Sequence, residues 1–178
     1  MPLFKIWKKF PFPTPLLKQY FMCHRVWQKA MPYKAVEIKP EHKFRWIWKV
    51  KDKLNFILFK LDFEHTFTSV QEEHEDYLFI KFENSNQVKD FSAKILYEEK
   101  GNNPIENKVI LQIDKMNLKN PILNTVKIAF IEMIKKDYKI FLNNVHTLLQ
   151  QKQERLQILE DCYWTDHDVI QFPDDEKY

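Results

Sequence analysis

Apolar residues recur along this chain with two periods, first two and then three to four, and the change of period divides it. Phe44, Trp46, Trp48 and Val50 alternate with Lys43, Arg45, Ile47, Lys49 and Lys51, which predicts a strand with one buried aromatic face and one basic face. Asp52 and Lys53 supply a turn. Ile57, Phe59, Leu61, Phe63, His65 and Phe67 then predict a second strand, long enough to need a bend or a bulge. The polar run from Gln71 to Asp76 reads as a loop. Leu78, Ile80 and Phe82 give a third strand, Asn84 to Asn86 a turn, and Phe91, Ala93, Ile95 and Tyr97 a fourth strand. Gly101 to Pro104 mark the next turn, and Val109, Leu111 and Ile113 give a fifth strand. Every connection is short, which favours an antiparallel meander.

From Asn120 to about Leu159 the pattern is that of one long helix. Asn120 can cap free backbone N–H groups, and Pro121 suits the first helical position, where its missing N–H would be unpaired anyway. Ile134, Tyr138, Phe141, Val145 and Leu148 form an apolar stripe that Lys152 interrupts and Leu156 and Leu159 resume. Unbroken, such a helix would be roughly 55 to 60 Å long, more than a small domain can cover. Its first part, from Ile122 to Ile134, is apolar nearly all round and fits the concavity of a sheet. The fold class expected is therefore α+β: a curved antiparallel sheet of about five strands packed on a long C-terminal helix. That element order resembles the helix-grip, or START-like, architecture, and the resemblance implies a cavity for lipid between sheet and helix.

Charge changes the picture at the ends. Residues 1–53 hold thirteen Lys and Arg against Glu37, Glu41 and Asp52, leaving a net of about −7 for the rest of a chain whose total is +3. Leu3, Phe4, Ile6, Trp7 and Phe10 are interleaved with Lys5, Lys8 and Lys9, and Pro11, Pro13 and Pro15 fix an extended path after them. The reading is a basic aromatic arm with a short helix over 1–32, a sheet and helix domain over 33–160, and an acidic tail over 161–178. An arm of this kind cannot bury its own rings. Phe4, Trp7, Lys8, Lys9 and Phe10 are accordingly candidate partner-binding residues, joined by Leu148, Leu149, Leu156 and Leu159 from the overlong helix.

Chemistry is excluded more readily than assigned. The single glycine, Gly101, removes the glycine-rich phosphate-cradling loops. His65 and His74 lie among Glu64, Glu72, Glu73, Glu75 and Asp76 without a metal-ligand spacing, which reads as a solvated acidic loop. Cys23 and Cys162 match neither a zinc motif nor a disulfide framework and suit a reducing compartment. No apolar run approaches the roughly 20 residues of a transmembrane helix. The chain is expected to be no enzyme, with no catalytic residue, metal or cofactor. The function expected is that of a structural accessory subunit of a large, membrane-associated organellar assembly, mitochondrial or other, with the cytoplasm as the alternative location. Its partners would be protein subunits and an anionic membrane surface, with nucleic acid less favoured. Two alternatives stand beside it: a START-like protein binding lipid or another apolar ligand, and an RNA-contacting subunit of an organellar ribosome.

Overall fold

A computed structural model describes residues 1–102 and 105–162. The elements run β1 (Phe4–Phe10), α1 (Thr14–Phe21), α2 (His24–Ala30), β2 (Ala35–His42), β3 (Arg45–Asn55), β4 (Lys60–Glu73), β5 (Tyr77–Glu83), β6 (Val88–Asn102), β7 (Ile105–Leu118), α3 (Pro121–Thr125), α4 (Lys127–Gln150) and α5 (Lys152–Asp161). One sheet holds all seven strands in the order β1-β7-β6-β5-β4-β3-β2, and every neighbouring pair is antiparallel. Register shifts along β6, at Val88/Asp90, Ser92/Ala93 and Glu99/Asn102, mark bulges that curve the long β6–β7 ribbon. The α+β class and the curved antiparallel sheet agree with the sequence; the number of strands does not.

The two extra strands are the sheet's edges, and each escaped for its own reason. β1 is the stretch read as an arm: its period of two turns Phe4, Ile6 and Phe10 into the core and Lys5, Trp7 and Lys9 outward. It pairs with β7 from Phe4↔Ile113 to Phe10↔Asn107. Lys5 and Lys9 are thus on the solvent face of an edge strand, where charge also discourages edge-to-edge association, while Lys8 keeps the inward phase and is half-buried. β2 carries a single fully buried residue, Ile38, and contains Pro40, so it has almost no apolar period to read.

The helical part is segmented rather than continuous. Asn120 caps α3 as expected, its Oδ1 accepting from Ile122 N at 3.0 Å and Leu123 N at 3.3 Å. The chain leaves helical geometry at Val126 and again at Gln151, which is extended (φ −91°, ψ 96°). Arg155 folds back across the second break and donates through Nη1 to Leu149 O at 2.9 Å, satisfying a carbonyl at the end of α4. Cys162, just after α5, is disulfide-bonded to Cys23 at the start of α2, with Cα atoms 5.4 Å apart. The free thiols expected from sequence are instead a cross-link that ties α5 to α2. Ile158 and Leu159 consequently lie in the same core as the sheet.

A candidate ligand cavity between the sheet and helix α4

Four adjacent strands each lay one aromatic ring on the concave face. Trp48 of β3 stacks on Phe67 of β4 at 5.2 Å, Phe67 lies 4.0 Å from Phe82 of β5, and Phe82 stacks on Phe91 of β6 at 3.8 Å. The register produces this row: Trp48 pairs with Phe67 across the β3–β4 ladder, and the period of two keeps Phe63, His65, Phe67, Ser69 and Gln71 on one face of β4. Phe130, Ile134 and Tyr138 of α4 form the roof with Trp27 of α2, whose ring stacks on Phe141 at 4.5 Å. Between floor and roof is a cavity of about 70 Å³. That is room for about two waters, against roughly 300 to 1,000 Å³ for an occupied ligand pocket. A ligand of useful size would have to lift α4.

Two polar groups interrupt the apolar lining, both on β4. His65 Nε2 lies 2.8 Å from Ser85 Oγ, which also accepts from Val88 N at 2.9 Å and Gln87 N at 3.3 Å. With two N–H groups already donating to it, the serine hydroxyl directs its proton to Nε2 and makes His65 the neutral Nδ1–H tautomer. Burial points the same way, pushing the imidazole down to about 3. The second group is a triad of neutral side chains. Ser69 Oγ accepts from Trp48 Nε1 and from Gln71 Nε2, each at 2.8 Å, while Gln71 Oε1 has no partner although the residue is only 3% exposed. Turning the amide so that Ser69 donates to Oε1 would strand the NH₂ instead. In either orientation one polar atom of Gln71 faces a site with no partner for it.

The residues expected to bind partners are placed differently. Phe4 and Phe10 are buried, and Phe10 lies 5.5 Å from the His146 ring of α4. Trp7 is 58% exposed, with Lys108 Nζ 5.0 Å from its ring centroid. Lys8 is half-buried and Lys9 forms a 2.7 Å ion pair with Glu106. Leu149 and Leu159 belong to the core, and Leu148 and Leu156 are half-buried. These residues do not form one surface. The acidic tail from Tyr163 onward lies outside the described residues. Among the described residues no cluster of His, Cys, Asp or Glu is arranged to hold a metal ion, and no helix is long and apolar enough to cross a membrane.

Sequence reasoning missed Ser69 and Gln71 because the polar run beginning at Gln71 reads as a loop, whereas β4 continues to Glu73. The signal was present. His65, Ser69 and Gln71 keep the phase of Phe63 and Phe67, so a period of two carried through the polar residues would have placed them on the buried face.

No protein-family model matches the chain, and no curated protein matches it in sequence. Solved structures do match in fold. TTHA0849 of Thermus thermophilus superposes with a TM-score of 0.53 at 11% identity, covering 89% of this chain and 94% of that one. A START superfamily protein of Mycobacterium smegmatis gives 0.53 at 12% identity over 82% of this chain and 97% of its own. The di-domain ARO/CYC StfQ from the steffimycin biosynthetic pathway gives 0.58 at 10% identity over 81% of this chain, which spans 49% of StfQ.

The fold is START-like. This overturns the expected accessory subunit of an organellar assembly: the arm on which that reading rested is a strand, and the proteins sharing the fold include a START superfamily protein and a di-domain ARO/CYC.

Proposed function

We propose that this protein binds an apolar molecule carrying a hydroxyl group in the cavity between the sheet and α4, with Gln71 and Ser69 receiving the hydroxyl. The observation that carries the reading is the unmet amide of Gln71 in a mainly apolar enclosure. A buried polar atom without a partner costs about 1 to 3 kcal/mol, and a hydroxyl, which both donates and accepts, meets the amide in either orientation. The row of rings from Trp48 to Phe91 suits a flat or ring-containing ligand body. Binding rather than catalysis is the reading, because the lining imidazole has its Nε2 engaged by Ser85 and, lowered to about 3 by burial, is neither charged to act as an acid nor basic enough to act as an efficient base near neutral pH.

The test is a titration with a naphthyl or steroid fluorophore that bears one hydroxyl, run beside its deoxy analogue. Energy transfer from Trp27, Trp46 and Trp48, all of which line the cavity, reports entry. Saturable one-to-one transfer is expected, weakened about tenfold or more for the deoxy analogue by the amide left unpaired. Linear, unsaturable uptake of both would overturn the proposal. Ala93→Leu, which fills the floor beside Phe91, should abolish transfer while leaving the circular dichroism unchanged.

A further inference from the structure

The β3–β4 hairpin turns on two aliphatic residues. Phe56 N donates to Phe59 O at 2.9 Å and their rings lie 4.8 Å apart, closing a turn with Ile57 and Leu58 at its corners. A two-residue hairpin turn ordinarily uses Asn, Asp or Gly. The other fully described turns of the sheet follow that polar habit more closely, with Lys43 and Phe44, His74 to Asp76, and Asn84 to Gln87. Ile57 and Leu58 are also the most exposed large apolar residues inside the fold, Leu58 at 92%, so neither turn chemistry nor packing explains them. A local rule broken without structural gain points to function.

The surroundings say what kind of surface they meet. Phe63 of β4, five residues beyond Leu58, lies 6.1 Å from Phe130 of α4, so the hairpin leads from its tip down to the first turn of that helix. There Ile128 is 83% exposed and Ile122 of α3 is half-exposed. No acid lies between Lys53 and Lys60, which flank the hairpin tip, although Lys53 pairs with Asp62 at 4.0 Å at its base, and no Asp or Glu occurs between Lys115 and Ile131, which includes Lys119 and Lys127. Exposed aliphatic side chains ringed by basic ones fit an anionic bilayer surface, the aliphatics entering the acyl boundary and the lysines meeting headgroups. A protein groove would give the aliphatics a partner but no reason for the absence of acids.

We infer that the tip Ile57–Leu58, with Ile122 and Ile128, docks this protein on an anionic lipid membrane, next to the Phe63–Phe130 end of the cavity roof. The inference stands apart from the ligand reading, since vesicle binding and cavity filling are separate measurements.

The experiment is flotation of the full chain with vesicles of phosphatidylcholine and of phosphatidylcholine mixed with phosphatidylserine. Binding is expected to the mixed vesicles only, falling as salt is added. Ile57→Ser with Leu58→Ser should weaken it about tenfold or more, and Lys53→Gln with Lys60→Gln and Lys127→Gln should remove the preference for phosphatidylserine. Trp7→Ser, on the opposite edge strand, should change nothing. All these side chains are outside the core, so an unchanged circular dichroism spectrum and urea midpoint for each variant show that the fold survives. The inference is overturned by absence of vesicle binding, by full binding of the Ile57→Ser, Leu58→Ser variant, by loss with Trp7→Ser alone, or by a wild-type dimer that the tip variant dissolves.

Discussion

Gln71 donates through Nε2 to Ser69 Oγ at 2.8 Å and leaves its own Oε1 without a partner. The two residues therefore stand on opposite sides of a satisfaction account. Ser69 is needed by its neighbours, because Trp48 Nε1 also donates to it. Ser69→Ala would strand both donors, costing about 1 to 3 kcal/mol for each. Gln71→Leu removes the unmet atom and leaves Trp48 with its acceptor, so urea denaturation should find it neutral or stabilised by up to about 1 to 3 kcal/mol. The same variant should lose preference for a hydroxyl-bearing fluorophore over its deoxy analogue. A destabilised Gln71→Leu with the preference intact would show that the amide serves the fold and not a ligand.

The cross-link between Cys23 and Cys162 closes a loop over most of the chain, the two lying 139 residues apart. A loop that long removes much freedom from the unfolded chain, and loss of a native disulfide commonly costs about 2 to 5 kcal/mol. Cys23→Ser with Cys162→Ser should lower the urea midpoint accordingly. Protection of α5 amides from hydrogen exchange should fall most, since Arg155 capping Leu149 is then a main remaining link between α5 and the end of α4.

The sheet's middle was legible because the apolar residues of β3 to β7 on the concave face recur with a period of two, and Asn120 announced its helix because an N-cap is a local event. What was lost depended on partners distant in sequence. Nothing near Phe4 reveals β7, more than a hundred residues on, so a strand looked like a free arm. The break at Gln151 is stabilised by Arg155 and by a disulfide to Cys23, neither of which leaves a mark in helical periodicity. The β3–β4 turn was placed at Asp52 and Lys53 for their composition, whereas the chain turns at Ile57 and Leu58, where propensity argues against a turn. The aromatic floor was foreseen as a core; its polar end was not, because Ser69 and Gln71 resemble loop residues when read alone.

Asp137 of α4 titrates in the direction opposite to a paired carboxylate. Burial raises it to about 6, with the like charge of Asp52 adding to the rise and Lys136 opposing it. A carboxyl whose folded pKa is raised contributes stability below its unfolded pKa of about 4, and that contribution is lost as pH rises through 6. Asp137→Asn should therefore raise the thermal midpoint at about pH 7.5 and leave it unchanged near pH 4. Asp52→Asn should bring part of the same gain, and equal midpoints for wild type and Asp137→Asn at both pH values would refute the assignment.

His65 gives the acid side of the same profile. Burial depresses its imidazole to about 3, far below the usual value of 6.5, so the unfolded chain takes up a proton that the folded chain refuses. A group of this sign stabilises the fold fully above about pH 6.5, and the contribution drains away as pH falls toward 3. The slope for one such group is at most about 1.4 kcal/mol per pH unit. His24, lowered to about 4 mainly by burial and further by Arg25, adds a second slope of the same sign over a shorter range. His65→Phe should cost stability near neutral pH, because the hydroxyl of Ser85 loses its acceptor, yet remove the His65 slope between about pH 6 and 4 and leave there that of His24 opposed by that of Asp137. Urea unfolding at three pH values across that window distinguishes this from simple core damage, which would shift all three by the same amount.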